Sequence, residues 1–210
     1  MRVLGIDEAG RGCVLGDLVI GAFLAVDPDD TVLRAAGAAD SKALTAAKRT
    51  AARALLRPLG TARVVRVTAT QIDGENINAL EEAVIVDLVT ELRPDRVQLD
   101  ALGHPRTLPA LQARLQAQLP AGLQPDWTIE PKADATYPVV GAASIFAKTA
   151  RDEALQALKE AFGDLGSGYP SDPTTRAWLT QWATTGAPWP AFVRTRWATI
   201  TEIGQQALFG

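Results

Sequence analysis

Read for its apolar positions, the chain opens on Val3-Leu4-Gly5-Ile6, a run of the length of a buried strand. Residues 18–26 (LVIGAFLAV) are nearly all apolar and predict a second buried strand, paired with the first across a glycine-rich turn and closed by Pro28-Asp29-Asp30. Residues 63–70 (RVVRVTAT) alternate and are β-branched, which predicts a third strand. Arg96–Asp100 and residues 127–130 predict a fourth and a fifth. Between them the period changes to that of a helix. Residues 45–56 are framed by Thr45 as N-cap and by Pro58-Leu59-Gly60 as stop. Ile77, Leu80, Val84, Leu88 and Leu92 form one apolar stripe that Pro94 ends. Further helices are predicted near Leu108–Gln118, over 140–162 after Pro138, and in a Trp-, Pro- and Gly-rich tail near 172–184 and 197–208. This order fits an α/β fold, a mixed sheet with an antiparallel meander at its start and parallel crossovers later.

Composition narrows the picture. At 210 residues and 47% hydrophobic, the chain suffices for one compact domain. A net charge of −3 announces no nucleic acid, so such a site must be a local patch. Cys13 and His104 are the only residues of their kinds, which removes disulfides and Cys/His zinc sites and leaves hard cations on oxygen ligands. With no signal-peptide h-region and no apolar run of about 18 residues, the expectation is a soluble cytoplasmic protein.

The chemistry concentrates where the first strand ends, in Asp7-Glu8-Ala9-Gly10-Arg11-Gly12. Adjacent residues on a strand face opposite ways, so in a central strand both acids cannot reach solvent, and a buried carboxylate needs a partner, a proton or a metal. A solvated strand end is one reading. A dinucleotide fingerprint fails, because its third glycine would be Gly16 rather than residue 15 and the acids would repel a pyrophosphate. The GxxxxGK[ST] phosphate loop is absent. The remaining reading is an acidic metal site acting on a phosphodiester. Parallel sheets build sites at the carboxyl ends of their strands, where Asp7 and Asp100 fall, and Asp134 follows the fifth strand. Such carboxylates suit two Mg2+ or Mn2+ ions about 3.5–4 Å apart, one activating water and the other stabilising the leaving oxygen.

GIDEAGRG, Asp40-Ser41-Lys42-x-Leu44, the strand-end Asp100, Lys132-Ala133-Asp134, Ala142-Ala143-Ser144-Ile145-x-Ala147-Lys148-x-x-Arg151-Asp152 and Gly166-Ser167-Gly168-Tyr169-Pro170-Ser171-Asp172-Pro173 follow one another in the order seen in ribonuclease HII. The chain resembles this type 2 ribonuclease H family over nearly its whole length, and its archaeal-type branch most. The resemblance implies a ribonuclease H-like fold: a five-stranded mixed sheet flanked by helices, with a C-terminal helical region. Residues 1–165 are then the catalytic core and 166–210 a helical substrate-binding region packed on it, within one compact domain. Asp7, Glu8, Asp100 and Asp134 are implied as the catalytic, metal-binding carboxylates. The implied activity is hydrolysis of the RNA strand of RNA/DNA hybrids and incision at ribonucleotides embedded in DNA, leaving 3′-hydroxyl and 5′-phosphate ends. Gly10, Arg11 and Gly12 are implied to contact the RNA–DNA junction and Tyr169 to stack on a sugar. Cys13 and Asp17 stand where the family commonly has proline.

Other residues keep two readings. Ser41 and Lys42 contact phosphate, or the segment merely caps and decorates a helix through Asp40. Lys148 and Arg151, one turn apart, join Lys132 and Arg11 in a local basic patch, or form a solvated stripe. Ser144 is carried in the same substrate-binding set by the family motif. Tyr169 is a buried aromatic or a sugar platform. Cys13 reads as packing, Trp178, Trp182, Trp189 and Trp197 as core of the tail, and His104 as a surface residue or a proton-transfer group near the metals. Gln205-x-x-Leu208-Phe209 resembles a sliding-clamp-binding peptide without its second aromatic, against a frayed terminus. The expected partners are RNA/DNA hybrid and ribonucleotide-containing DNA, with the clamp kept on that segment alone, no membrane, and a monomeric state. A catalytically silent hybrid-binding protein is the alternative of another class. Ribonuclease HIII is the alternative within enzymes, disfavoured because its extra N-terminal domain has no room before Asp7.

Overall fold

The computed structural model describes residues 1–38, 44–100 and 105–209, leaving aside the side chains of 105 and 206–209. Five strands, β1 (Arg2–Ala9), β2 (Leu18–Val26), β3 (Thr61–Val67), β4 (Arg96–Asp100) and β5 (Asp126–Glu130), form one sheet in the order β3-β2-β1-β4-β5. β1, β2 and β3 are antiparallel neighbours, whereas β4 runs parallel to β1 and β5 to β4. This is the mixed sheet of the expected ribonuclease H-like fold.

Helices cover both faces: α1 (Asp30–Ala35), α2 (Ala46–Leu56), α3 (Ala69–Gly74), α4 (Ile77–Leu92), α5 (Leu108–Gln118), α6 (Ala133–Thr136), α7 (Pro138–Phe162), α8 (Pro173–Thr184) and α9 (Ala198–Phe209). Strand alternation sorts the core. Leu4, Ile6, Leu18, Ile20, Val97 and Leu99 point to one face with Ile85, Leu88 and Leu115 of α4 and α5. Val3, Phe23 and Ala25 point to the other with Val139, Val140, Ala143 and Ile145 of α7. A Cβ at Gly5 would lie 2.2 Å from the Val139 carbonyl, and one at Gly21 would lie 2.3 Å from the Ala143 carbonyl. Two strand glycines therefore let α7 lie directly on the sheet.

Several boundaries differ from the pattern. The third strand spans 61–67 rather than 63–70, because the Thr68 hydroxyl accepts from Gln71 N while the Gln71 side chain accepts from Thr68 N, a capping box that opens α3. The Pro28-Asp29-Asp30 turn continues into α1, with Asp29 as N-cap. The long helix starts at Pro138 rather than 140, and α6 precedes it unforeseen. On α4 the buried positions are Glu81, Ile85, Leu88, Val89 and Leu92, a face rotated by about one residue from the expected stripe. Ile77, Leu80 and Val84 only border the core.

The tail packs through Leu165, Leu179, Val193, Ile200 and Ile203 onto Val14 and Leu15, with Trp178, Trp189 and Trp197 half-buried around them. Trp182 stacks on Trp178 at 5.2 Å. Among the described residues, no helix is long and apolar enough to cross a membrane.

Candidate active site

The register of β1 and β4 sets the first two carboxylates. Ile6 pairs with Leu99, so Asp7 and Asp100 are the next residues on adjacent parallel strands and share a face. That face carries α7. The third acid arrives through α6, whose first amide, Ala133 N, donates to Asp100 Oδ1 at 3.3 Å and leaves Asp134 buried beside it. Carboxylate oxygens of Asp7, Asp100 and Asp134 all lie within 4.8 Å of one another. Glu8 lies next along the strand, half-buried in the same cleft.

Ser144 and Lys148, one turn apart on α7, support this cluster. The Lys148 ammonium donates to Ser144 Oγ at 2.7 Å and stands 4.0 Å from Asp7 Oδ2 and 3.9 Å from Asp134 Oδ2. The Ser144 hydroxyl is hydrogen-bonded to Asp7, whose Oδ1 also accepts from Glu8 N. Ser144, expected among the substrate-binding residues, is fully buried and bonds Asp7 and Lys148. Burial, with Asp100 adding, pushes the Asp7 carboxyl up to about 6 against the pull of Ser144 and Lys148. Burial, then Asp7 and Asp100, pushes Glu8 up to about 8 against Arg11. An all-oxygen cluster of carboxylates converging within 4.8 Å fits a hard divalent cation.

A cleft of about 390 Å³ opens over the cluster, lined by Asp7, Glu8, Asp100, Asp134, the Gly10-Arg11-Gly12 turn, Lys148, Arg151 and Tyr169. Gly10 has φ +83°, which only glycine adopts without strain, and a Cβ there would meet Arg151 at 3.0 Å. Arg11 is turned toward α4, where it pairs with buried Glu81 and donates to Asn78. Arg151 donates to Cys13 Sγ at 3.0 Å and to Ser167 O, and it lies 5.2 Å above the Tyr169 ring, which is 40% exposed. Lys132 is exposed and lies outside the cleft lining, in a left-handed conformation at the start of α6. Asp40, Ser41, Lys42 and His104 lie outside the described residues, as do the side chains of Leu208 and Phe209.

Pattern reasoning missed several cleft residues. Arg49 of α2 lines it and pairs at 2.5 Å with Asp152 of α7, which the family motif contained without a role. Glu81 carried a signal, an acid four residues before Ile85 on an otherwise buried stripe. Arg194, also missed, is fully buried behind the Gly10-Arg11-Gly12 turn.

Clustered strand-end carboxylates on a ribonuclease H-like sheet define a metal-dependent phosphodiester hydrolase. A family model described as ribonuclease HII matches residues 4–200. Ribonuclease HII of Aeropyrum pernix is 37% identical over 96% of this chain and 90% of its own. The crystal structure of ribonuclease H2 from Pyrococcus horikoshii OT3 superposes with a TM-score of 0.89 at 36% identity, covering 100% of both chains. RNase HII from Archaeoglobus fulgidus, solved in complex with PCNA, gives 0.83 at 35% identity over 94% of this chain and 95% of that one. The chain belongs to the ribonuclease HII family. It is a divalent-metal-dependent ribonuclease H, an endonuclease that hydrolyses RNA in RNA/DNA hybrids.

Proposed function

We propose that this enzyme also incises duplex DNA on the 5′ side of an embedded ribonucleotide, by two-metal-ion catalysis with Mg2+ or Mn2+. The observation that carries the reading is the convergence of Asp7, Asp100 and Asp134 within 4.8 Å beside the Gly10-Arg11-Gly12 turn. Asp7, Glu8, Asp100 and Asp134 would hold the ions, which supply charge for the phosphodiester and an activated water when bound. Water adds to the phosphorus 5′ of the ribonucleotide, and the bond to the upstream O3′ breaks. The products are a 3′-hydroxyl and a 5′-phosphate on the ribonucleotide.

The protein's own part is orientation. Lys148 holds the Asp7 and Asp134 carboxylates through charge and Ser144 fixes Asp7. The glycine turn lets the junction sugar approach the main chain, and Tyr169 packs against a neighbouring sugar. Arg151, Lys132, Ser41 and Lys42 are assigned to the sugar-phosphate backbone. Residues 1–165 act as the catalytic core and 166–210 as the substrate-binding region of a monomer working in the cytoplasm on its nucleic acid. A sliding clamp is proposed as a partner through the segment from Gln205 to Phe209, since the similar Archaeoglobus fulgidus enzyme was solved with PCNA.

The test is product mapping on a duplex with one ribonucleotide, in Mg2+, in Mn2+ and in EDTA. Incision 5′ of the ribonucleotide, lost in EDTA, is expected. Cleavage on its 3′ side, or undiminished activity in EDTA, overturns the reading.

A further inference from the structure

Among the described residues, Arg194 is the largest fully buried side chain, and no carboxylate lies within salt-bridge distance of it. A buried charge costs several kcal/mol unless its hydrogen-bonding capacity is met. Here backbone carbonyls meet it: Nη2 donates to Gly10 O at 2.8 Å, Nη1 to Arg11 O at 2.8 Å and Nε to Gly16 O at 3.0 Å. The arginine's own amide donates to Val14 O, and the guanidinium stacks 5.1 Å from the Trp197 ring. Every peptide bond described is trans, so each N–H points opposite to the carbonyl of the preceding residue. Drawing the Gly10 and Arg11 carbonyls inward therefore turns the N–H groups of Arg11 and Gly12 away from Arg194, and the turn that carries them borders the cleft.

We propose that Arg194 is a positioning residue for substrate reading, which presets Gly10-Arg11-Gly12 as a pair of backbone donors for oxygen acceptors of the sugar-phosphate chain at the junction. The inference rests on the cleft being the hybrid site described above. A planar guanidinium reaches the three carbonyls from three separate nitrogens, whereas an ammonium offers its three donors from a single point. The tail is anchored separately, because Asp73 accepts from Thr195 N and Oγ1 at 2.7 Å each and from Arg196 N at 3.2 Å, without touching the turn. Loosening the tail and loosening the turn can thus be separated.

Arg194→Lys and Asp73→Asn are compared with the parent on a duplex with one ribonucleotide and on a continuous hybrid, with Tm measured for each. Arg194→Lys should lose about tenfold or more in kcat/KM on the single ribonucleotide, with a smaller loss on the hybrid. Asp73→Asn should lower Tm and leave the ratio of the two activities at the parent's value. An unchanged ratio in Arg194→Lys, or the same skew in Asp73→Asn, overturns the proposal. Amide NMR of the parent decides independently of folding in the variants and of cleavage: in Ca2+, the Arg11 and Gly12 amides should shift on addition of the ribonucleotide duplex, and unmoved amides overturn the proposal. A parent that binds in this way yet does not cut at the ribonucleotide refutes the proposed incision while leaving the role of Arg194 standing.

Discussion

Asp7 and Asp134 are the most buried members of the acidic cluster, at 4% and 3% exposure, and each stands about 4 Å from a single ammonium, that of Lys148. Asp7→Asn or Asp134→Asn should abolish activity and, in EDTA, melt no lower than the parent, since each removes like-charge repulsion. Near-parental cleavage by either variant would sink the metal assignment, and a large fall in Tm would show the acid to be structural. Arg11 reads differently once its partner is seen. From the chain alone it is a phosphate contact, and Arg11→Ala should only weaken binding and lower the salt dependence. In the fold that change also strands Glu81, which is 1% exposed. A loss of about 3 kcal/mol is expected, or roughly 5–10 °C in Tm, with partial recovery when Glu81→Gln is added. If Arg11→Ala melts like the parent, the Glu81 pair carries no weight. Tyr169→Ala should cost about tenfold on a single embedded ribonucleotide and less on a long hybrid, because one 2′-hydroxyl then sets the register alone. Equal losses on the two substrates would remove it from the reading of the sugar.

At the scale of elements, α7 connects stability to catalysis. It lies on β1 and β2 through Gly5 and Gly21 and delivers Ser144 and Lys148 to the carboxylates on that face. A methyl at either glycine meets backbone at 2.2 or 2.3 Å, and a carbonyl of a long helix cannot swing aside as a side chain can. Gly5→Ala and Gly21→Ala should each destabilise by about 3 kcal/mol or more, and the folded fraction should be less active because Lys148 moves with the helix. Denaturant titration with activity measured per folded molecule checks this, and parental values on both counts would contradict the seating of α7. The turn between β1 and β2 is held from the tail as well. Val14 N and Leu15 N both donate to Gly168 O and Gly16 N donates to Phe192 O, so three distant segments share one small ladder.

For the whole molecule, proton, metal and folding equilibria are linked. The Asp7 and Glu8 carboxyls ionise near 3.8 and 4.5 in an unfolded chain and near 6 and 8 in the metal-free fold. The native state then binds more protons across that window, so metal-free stability should fall as pH rises from about 4 to 8. Divalent cations need the ionised ligands, so added Mg2+ should raise Tm more at pH 8 than at pH 5. Scanning calorimetry at the two pH values, with and without EDTA, measures both trends, and Asp7→Asn should flatten the first. Much of this protein is decided by its sequence alone. Continuous apolar runs such as those of β1 and β2 are buried, and an acid closing such a run needs a partner, a proton or a metal. Asp7 and Asp100 were legible for that reason, as were the strands and the long helices, whereas Asp134, four residues past β5 on α6, joined them through the family resemblance. Short helices such as α1, α3 and α6 were not, because a few residues carry no periodicity and only caps such as Thr68 mark them. The partners of the site were settled by tertiary structure. Glu81 is 70 residues from Arg11 and Arg194 is 184 from Gly10, and no local pattern encodes a contact between residues that far apart. Only the packing of α4 beside β1 and the docking of the tail on Val14 and Leu15 place them, since buried charges are tolerated only where the fold supplies their hydrogen bonds.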